Sequence, residues 1–95
     1  MAANFRIHIH RQKTDLNLEL TGDFDGSSAF ELIDVLRAYN GKAKKMVIDT
    51  GGISSVHPFG LRVFQKHCSI NSLSPDLTFI GRHGNTLAFK ERHSL

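Results

Sequence analysis

The stretch at residues 45–64, KMVIDTGGISSVHPFGLRVF, restricts the fold more than any other part of the chain. It opens on a short apolar run, Met46-Val47-Ile48, of the length of a buried strand. Residues 49–55 follow with two adjacent glycines and read as a turn-rich break. Pro58-Phe59-Gly60-Leu61 then leads into a predicted helix over about 58–70. In it Leu61, Phe64 and Cys68 share a face, with Val63 and His67 at its edges. Proline near the first turn of a helix sacrifices no hydrogen bond. A strand whose connection feeds straight into a helix exposes that connection, and the helix's unpaired N–H groups, at one edge of the sheet. Open α/β sheets build their sites there, so this junction is the expected functional surface.

The flanking segments supply the rest of a small sheet. Residues 5–10 alternate, with Phe5, Ile7 and Ile9 on one face and Arg6, His8 and His10 on the other, as a half-buried strand requires. Residues 15–20 repeat the pattern through Leu16, Leu18 and Leu20. The short polar link at 11–14 makes the two an antiparallel hairpin. Residues 21–26, TGDFDG, read as a loop. Ser28 and Glu31 then fit a capping box, and Ala29, Leu32, Ile33 and Leu36 form one apolar helical stripe that stops at Asn40-Gly41. Later come a strand at 45–49, a connector at 69–76, a strand at 77–80 ended by Gly81, a loop at 82–85, and a short helix at about 86–91 carrying Leu87 and Phe89. The order β-β-α-β-α-β-α predicts one α/β domain over 1–95. Its sheet is small and mixed, with an N-terminal antiparallel hairpin, later strands parallel, and the helices on one face.

Composition removes several classes. Ninety-five residues suit a single domain, and 40% apolar with 22% charged residues is ordinary for a soluble protein. No apolar run approaches the roughly 18 residues of a membrane span. The segment MAANFRIHIHRQK lacks the layout of a secretory signal, and a lone cysteine, Cys68, permits no internal disulfide, so a cytoplasmic setting is expected. Cys68 reads as a small apolar core group. The charge of +3 does not imply a nucleic-acid partner, because the basic residues are scattered and no aromatic platform alternates with them. His8 and His10 share a strand face at a chelating spacing, yet no further His, Cys or carboxylate motif completes a metal site, and none is expected. Asp23 and Asp25 have no partner motif for acid–base work, and Asp25 reads as a turn or cap residue before Gly26-Ser27. His57 beside Ser55 lacks a nucleophile elbow. Gly51-Gly52 would suit a phosphate cradle but lacks the lysine of a P-loop.

These segments resemble the STAS domains, the anti-sigma factor antagonist family. Gly22-Asp23-Phe24-Asp25 followed by Ala29 is similar to the family's G-E-L-D…A motif. Met46-Val47-Ile48-Asp49…Gly52-Ile53…Val56 resembles its V-x-D-L-S-G-V-x-x-I segment. Gly60-Leu61 falls where its D-S-S-G-L motif ends, and Leu77–Gly81 is similar to its final strand. The resemblance covers residues 5–89 and implies a STAS-like fold in a non-catalytic bacterial switch module. It implies a protein partner, a serine kinase that doubles as an anti-sigma factor or another regulator. In that family, phosphorylation of a serine at the start of the second helix releases the partner, since about two negative charges on a docking surface repel it. This chain departs there, because His57-Pro58-Phe59-Gly60-Leu61 replaces D-S-S-G-L and the two serine positions hold Pro58 and Phe59. Neither carries a hydroxyl to phosphorylate.

The resemblance makes Asp25, Ser54, Ser55, His57, Pro58, Phe59, Gly60 and Arg62 the expected partner-binding set, with no cofactor. Two roles stay open for Phe59, a partner anchor or a core residue pinning the helix start. Ser54 and Ser55 are either displaced phosphoacceptors, Ser55 foremost, or local backbone caps; Thr50 is placed similarly. A docking module predicts that Phe59→Ala or Gly60→Glu removes partner capture while leaving the thermal midpoint nearly unchanged. The alternatives are a STAS subunit docking on the ATPase of a lipid transporter, or a small-ligand or nucleotide sensor using Gly51-Gly52, with a hydrolase last.

Overall fold

The computed structural model describes residues 4–67 and 76–87. Strands β1 (Arg6–Gln12) and β2 (Asp15–Phe24) form an antiparallel hairpin in which Ile7 faces Leu20 and Ile9 faces Leu18. Both strands run further than the polar link suggested, leaving only Lys13-Thr14 between them. Helix α1 (Gly26–Ala38) returns the chain to β3 (Lys45–Val56), and α2 (Pro58–His67) leaves from its far end. Strand β4 (Asp76–Ile80) and the single turn α3 (Gly84–Leu87) complete the described chain. The sheet order is β1-β2-β3-β4, with β2, β3 and β4 parallel. The expected mixed sheet is therefore present. Expectations for Cys68, the connector and Phe89 lie outside the described residues.

The core lies between the sheet and the two long helices. Leu16, Leu18, Leu20 and Phe24 of β2, Met46, Ile48 and Ile53 of β3, Ala29, Leu32, Ile33 and Leu36 of α1, and Val63 and Phe64 of α2 are all buried. The apolar stripe read for α1 is thus its buried face. Four phenylalanines run across this core in edge-to-face contact, Phe5 to Phe24 at 5.9 Å, Phe24 to Phe64 at 6.1 Å and Phe64 to Phe79 at 6.1 Å between ring centroids. The ladder ties the hairpin and β4 to α2. On edge strand β1 the inward face is covered only at one end: Phe5 is buried, Ile7 is partly buried, and Ile9 is 42% exposed.

Two stretches expected as loops are strand. Alternation continues through residues 21–24, with Gly22 and Phe24 turned inward after Leu20. Gly22 is glycine because its φ is +92° and because a Cβ there would run into the Asn4 carbonyl. Residues 49–55 likewise belong to β3. Opposite β2, this strand carries one extra residue between Asp49 and Gly52 and another between Ile53 and Ser55. Each extra residue is a bulge that reverses which side chains face inward. The buried positions accordingly pass from Met46, Ile48 and Thr50 to Ile53, while Val56 packs partly buried against the core. Gly52 sits in the first bulge, where a Cβ would come within 2.8 Å of both the Leu20 carbonyl oxygen and Thr21 Cγ2. Buried Thr50 locks β3 to the chain after β4: its Oγ1 donates to the Ile80 carbonyl (2.7 Å) and accepts from the His83 N–H (3.1 Å).

Candidate docking site

Strands β2 and β3 end side by side, Phe24 paired with Val56, and each feeds directly into a helix. The starts of α1 and α2 therefore lie next to each other at the C-terminal ends of the two central strands. The His57 N–H donates to the Phe24 carbonyl (2.9 Å), joining the two exits. Gly60 brings the helices together, since a Cβ on it would lie 2.8, 2.6 and 2.7 Å from the Cα, C and O of Asp25. Gly26 does the reverse service for α1. A Cβ there would fall 2.7 Å from Phe59 Cε2, so the Phe59 ring rests on the bare backbone of the α1 start.

Asp25, not Ser28, caps α1. Its Oδ1 accepts from the Ser28 backbone N–H and from the Ser27 and Ser28 hydroxyls, each at 3.0 Å. The Ser28–Glu31 capping box does not form, because the helix begins earlier and Ser28 is buried against the Asp23 carbonyl (2.8 Å). The cap reading of Asp25 holds. The Ser28 N–H bond, with smaller help from the two hydroxyls and against some desolvation, lowers its pKa from 3.8 to about 2. A depressed carboxylate contributes stability that is full above its unfolded pKa and is lost as pH falls through the folded one. Asp25→Ala is expected to cost about 1 kcal/mol at neutral pH. The gap between variant and wild type should close between pH 3.8 and about 2 in acid-unfolding curves followed by circular dichroism.

The other expected site residues fall into two groups. Ser54, His57, Pro58, Phe59 and Arg62 are exposed around the start of α2, and Phe59 is 67% exposed. Phe59 is thus not a core residue. Ser55 is partly buried and donates its hydroxyl proton to Asp23 Oδ1 at 2.8 Å, a local bond between the two strand ends. Gly60 is buried and has no side chain to offer; its contribution is closeness, and Gly60→Glu would clash, contrary to the expectation of an unchanged midpoint. Gly51-Gly52 forms no loop, and the Gly51 N–H is taken by the Asp49 carboxylate at 2.9 Å. The phosphate cradle therefore has no structural basis there. His8 and His10 stand exposed on β1, with His10 Nε2 3.9 Å from Glu19 Oε1. Among the described residues no group of three or more His, Cys, Asp or Glu is arranged to hold a metal ion, and no helix is long and apolar enough to cross a membrane.

One residue of this surface escaped the sequence reading. Phe30 is 49% exposed on the flank of α1 that faces α2, its ring 5.4 Å from that of His67. The available signal was an aromatic lying off the Ala29-Leu32-Ile33-Leu36 stripe.

Solved structures share this fold. An anti-sigma factor antagonist from Mycobacterium paratuberculosis matches with a TM-score of 0.67 at 14% identity, over 99% of this chain and 81% of that one. An antisigma-factor antagonist STAS domain from Rhodobacter sphaeroides gives 0.61 at 11% identity, over 93% and 95%. The chain has the STAS fold. The anti-sigma factor antagonist SpoIIAA in its unphosphorylated form also matches, at a TM-score of 0.60 and 8% identity over 96% and 80%. No family model matches the chain, and no curated protein matches its sequence. In this STAS fold the paired starts of α1 and α2 are built from Asp25, Gly26, Phe59 and Gly60, with the exposed ring of Phe59 resting against the backbone of Gly26.

Proposed function

We propose that this STAS-fold domain is a non-catalytic regulatory module that captures a protein partner at the start of α2. The observation that carries the reading is Phe59, a large apolar side chain two-thirds exposed (67%) on a base that holds it still. A rigid exposed ring surrounded by polar groups is what an interface anchor requires. Ser54, Ser55, His57, Pro58 and Arg62 would form its rim, with Asp25 and Gly60 fixing the seat beneath. The structural neighbours bear the names of anti-sigma factor antagonists, and the partner class that follows is a serine kinase with anti-sigma activity or a regulator of that kind.

The family's phosphoserine motif, laid over His57–Leu61, puts proline and phenylalanine at the hydroxyl positions. Partner release by phosphorylation there would be chemically closed, so capture would be constitutive or controlled elsewhere. Ser54 is exposed and Ser55 is engaged with Asp23, which leaves Ser54 the more accessible of the two hydroxyls.

Phe59→Ala is expected to weaken partner capture by about 2 kcal/mol, roughly 30-fold. Because most of the ring is already in water, unfolding stability should change by less than about 1 kcal/mol. Affinity capture from native lysate with quantitative mass spectrometry, beside a thermal melt, reads both. A protein retained equally by wild type and Phe59→Ala removes the ring from the site.

A further inference from the structure

The side of α2 that carries Phe59 has a uniform charge. Phe59, Arg62 and Lys66 are spaced i, i+3, i+7, which places them along one helix face, and all three are exposed. Helix α2 holds no aspartate or glutamate, and its last turn is Lys66-His67. Asp25, whose backbone lies against Gly60, points its carboxylate at its own helix N–H and two serine hydroxyls, so that group is already engaged. Across the groove, Phe30 supplies a second exposed ring beside His67, and Arg37 reaches the His67 carbonyl at 3.4 Å. Of the exposed acids of α1, Asp34 stands one turn after Phe30 on the flank facing α2, between Phe30 and Arg37, while Glu31 is turned further from it. The groove between the two helices therefore carries two exposed apolar rings, with the cations Arg62, Lys66 and Arg37 outnumbering the one flanking acid, Asp34.

Resting on the docking reading above, we propose that this groove receives an acidic amphipathic segment of a protein partner. Apolar side chains of that segment pack on Phe59 and Phe30, and its carboxylates lie along Arg62 and Lys66. Complementary charge selects such a segment and speeds its encounter with the site, while the rings hold it. An anionic membrane fits less well. Val63 and Phe64 clamp α2 onto the core, so the helix cannot roll into a bilayer, and each long helix shows only one exposed apolar ring.

The test selects phage-displayed random peptides on the immobilised full chain and measures the recovered peptides by fluorescence anisotropy. The expected peptides combine Asp or Glu with Leu, Phe or Trp, and their affinity falls about tenfold or more between about 0.05 M and about 0.5 M salt. Arg62→Glu with Lys66→Glu weakens them about tenfold or more, and exchanging the peptide's acids for lysine restores binding to that variant but not to wild type. Both substitutions lie in water, and a thermal melt checks that the fold persists. Peptides that need Phe59 but are neutral or basic overturn the acidic assignment and leave the docking reading intact. A selection yielding no peptide that Phe59→Ala weakens ends both. Phosphatidylglycerol vesicles that bind wild type more tightly than the peptides do, and release the doubly substituted chain, overturn the proposal in favour of a lipid surface.

Discussion

Phe64→Ala is expected to destabilise the domain by about 3–5 kcal/mol, the range for truncating a fully buried aromatic. Phe64 is 0% exposed and is the only ring of the aromatic ladder contributed by a helix, touching Phe24 on one side and Phe79 on the other. Removing it leaves a cavity bounded by rings that belong to a hydrogen-bonded sheet and cannot collapse inward. The loss is large against the roughly 5–15 kcal/mol that holds a small domain together. For a chain of this size it corresponds to a fall in Tm of at least about 12 °C. Phe64→Leu keeps most of the volume and should cost about 1.5 kcal/mol, mainly through the two edge-to-face contacts. Urea unfolding of the three chains orders them. An alanine variant within about 1 kcal/mol of wild type would mean that α2 is not anchored through the ladder.

How much of this could be read from the sequence depended on whether the signal was local. The hairpin was legible because Ile7 and Ile9, then Leu16, Leu18 and Leu20, repeat at the strand period, and α1 because Ala29, Leu32, Ile33 and Leu36 repeat at the helical one. The far halves of β2 and β3 were not. Gly22 and Gly51-Gly52 look like turn residues, yet Gly22 makes room for Asn4, a residue distant in sequence, and Gly52 makes room for Thr21 across the sheet. Two bulges also switch the inward-facing positions of β3, which breaks the alternation a strand is recognised by. The site shows the same division. Gly60 was marked only by the family resemblance, while Asp25 as a cap and Pro58 as a helix start could be placed from local chemistry. The exposure of Phe59 could not, because it follows from a bare Gly26 beneath the ring, on a helix more than thirty residues earlier.

Gly60 separates the scaffold from the surface it displays. At an open helical position, alanine in place of glycine stabilises a helix by about 1 kcal/mol. Gly60 is not open: the added methyl meets the Cα, C and O of Asp25 at 2.6–2.8 Å, and these backbone atoms cannot turn aside as a side chain would. Overpacking costs about 1–3 kcal/mol, and three immovable backbone atoms under 3.0 Å put Gly60 at the upper end of that range, so Gly60→Ala is expected to be net destabilising by up to about 2 kcal/mol, the reverse of the propensity effect. Gly60→Glu forces a longer, charged side chain into the same buried contact with the Asp25 backbone, and its loss should exceed about 4 kcal/mol. Because α2 must lift from α1 to admit either side chain, Phe59 loses its seat on Gly26 and partner capture should fall together with stability. Phe59→Ala, by contrast, should reduce capture without that loss. A Gly60→Ala chain that melts at or above the wild-type temperature would show that the two helix starts are not in contact, and the rigid presentation of Phe59 would fall with it.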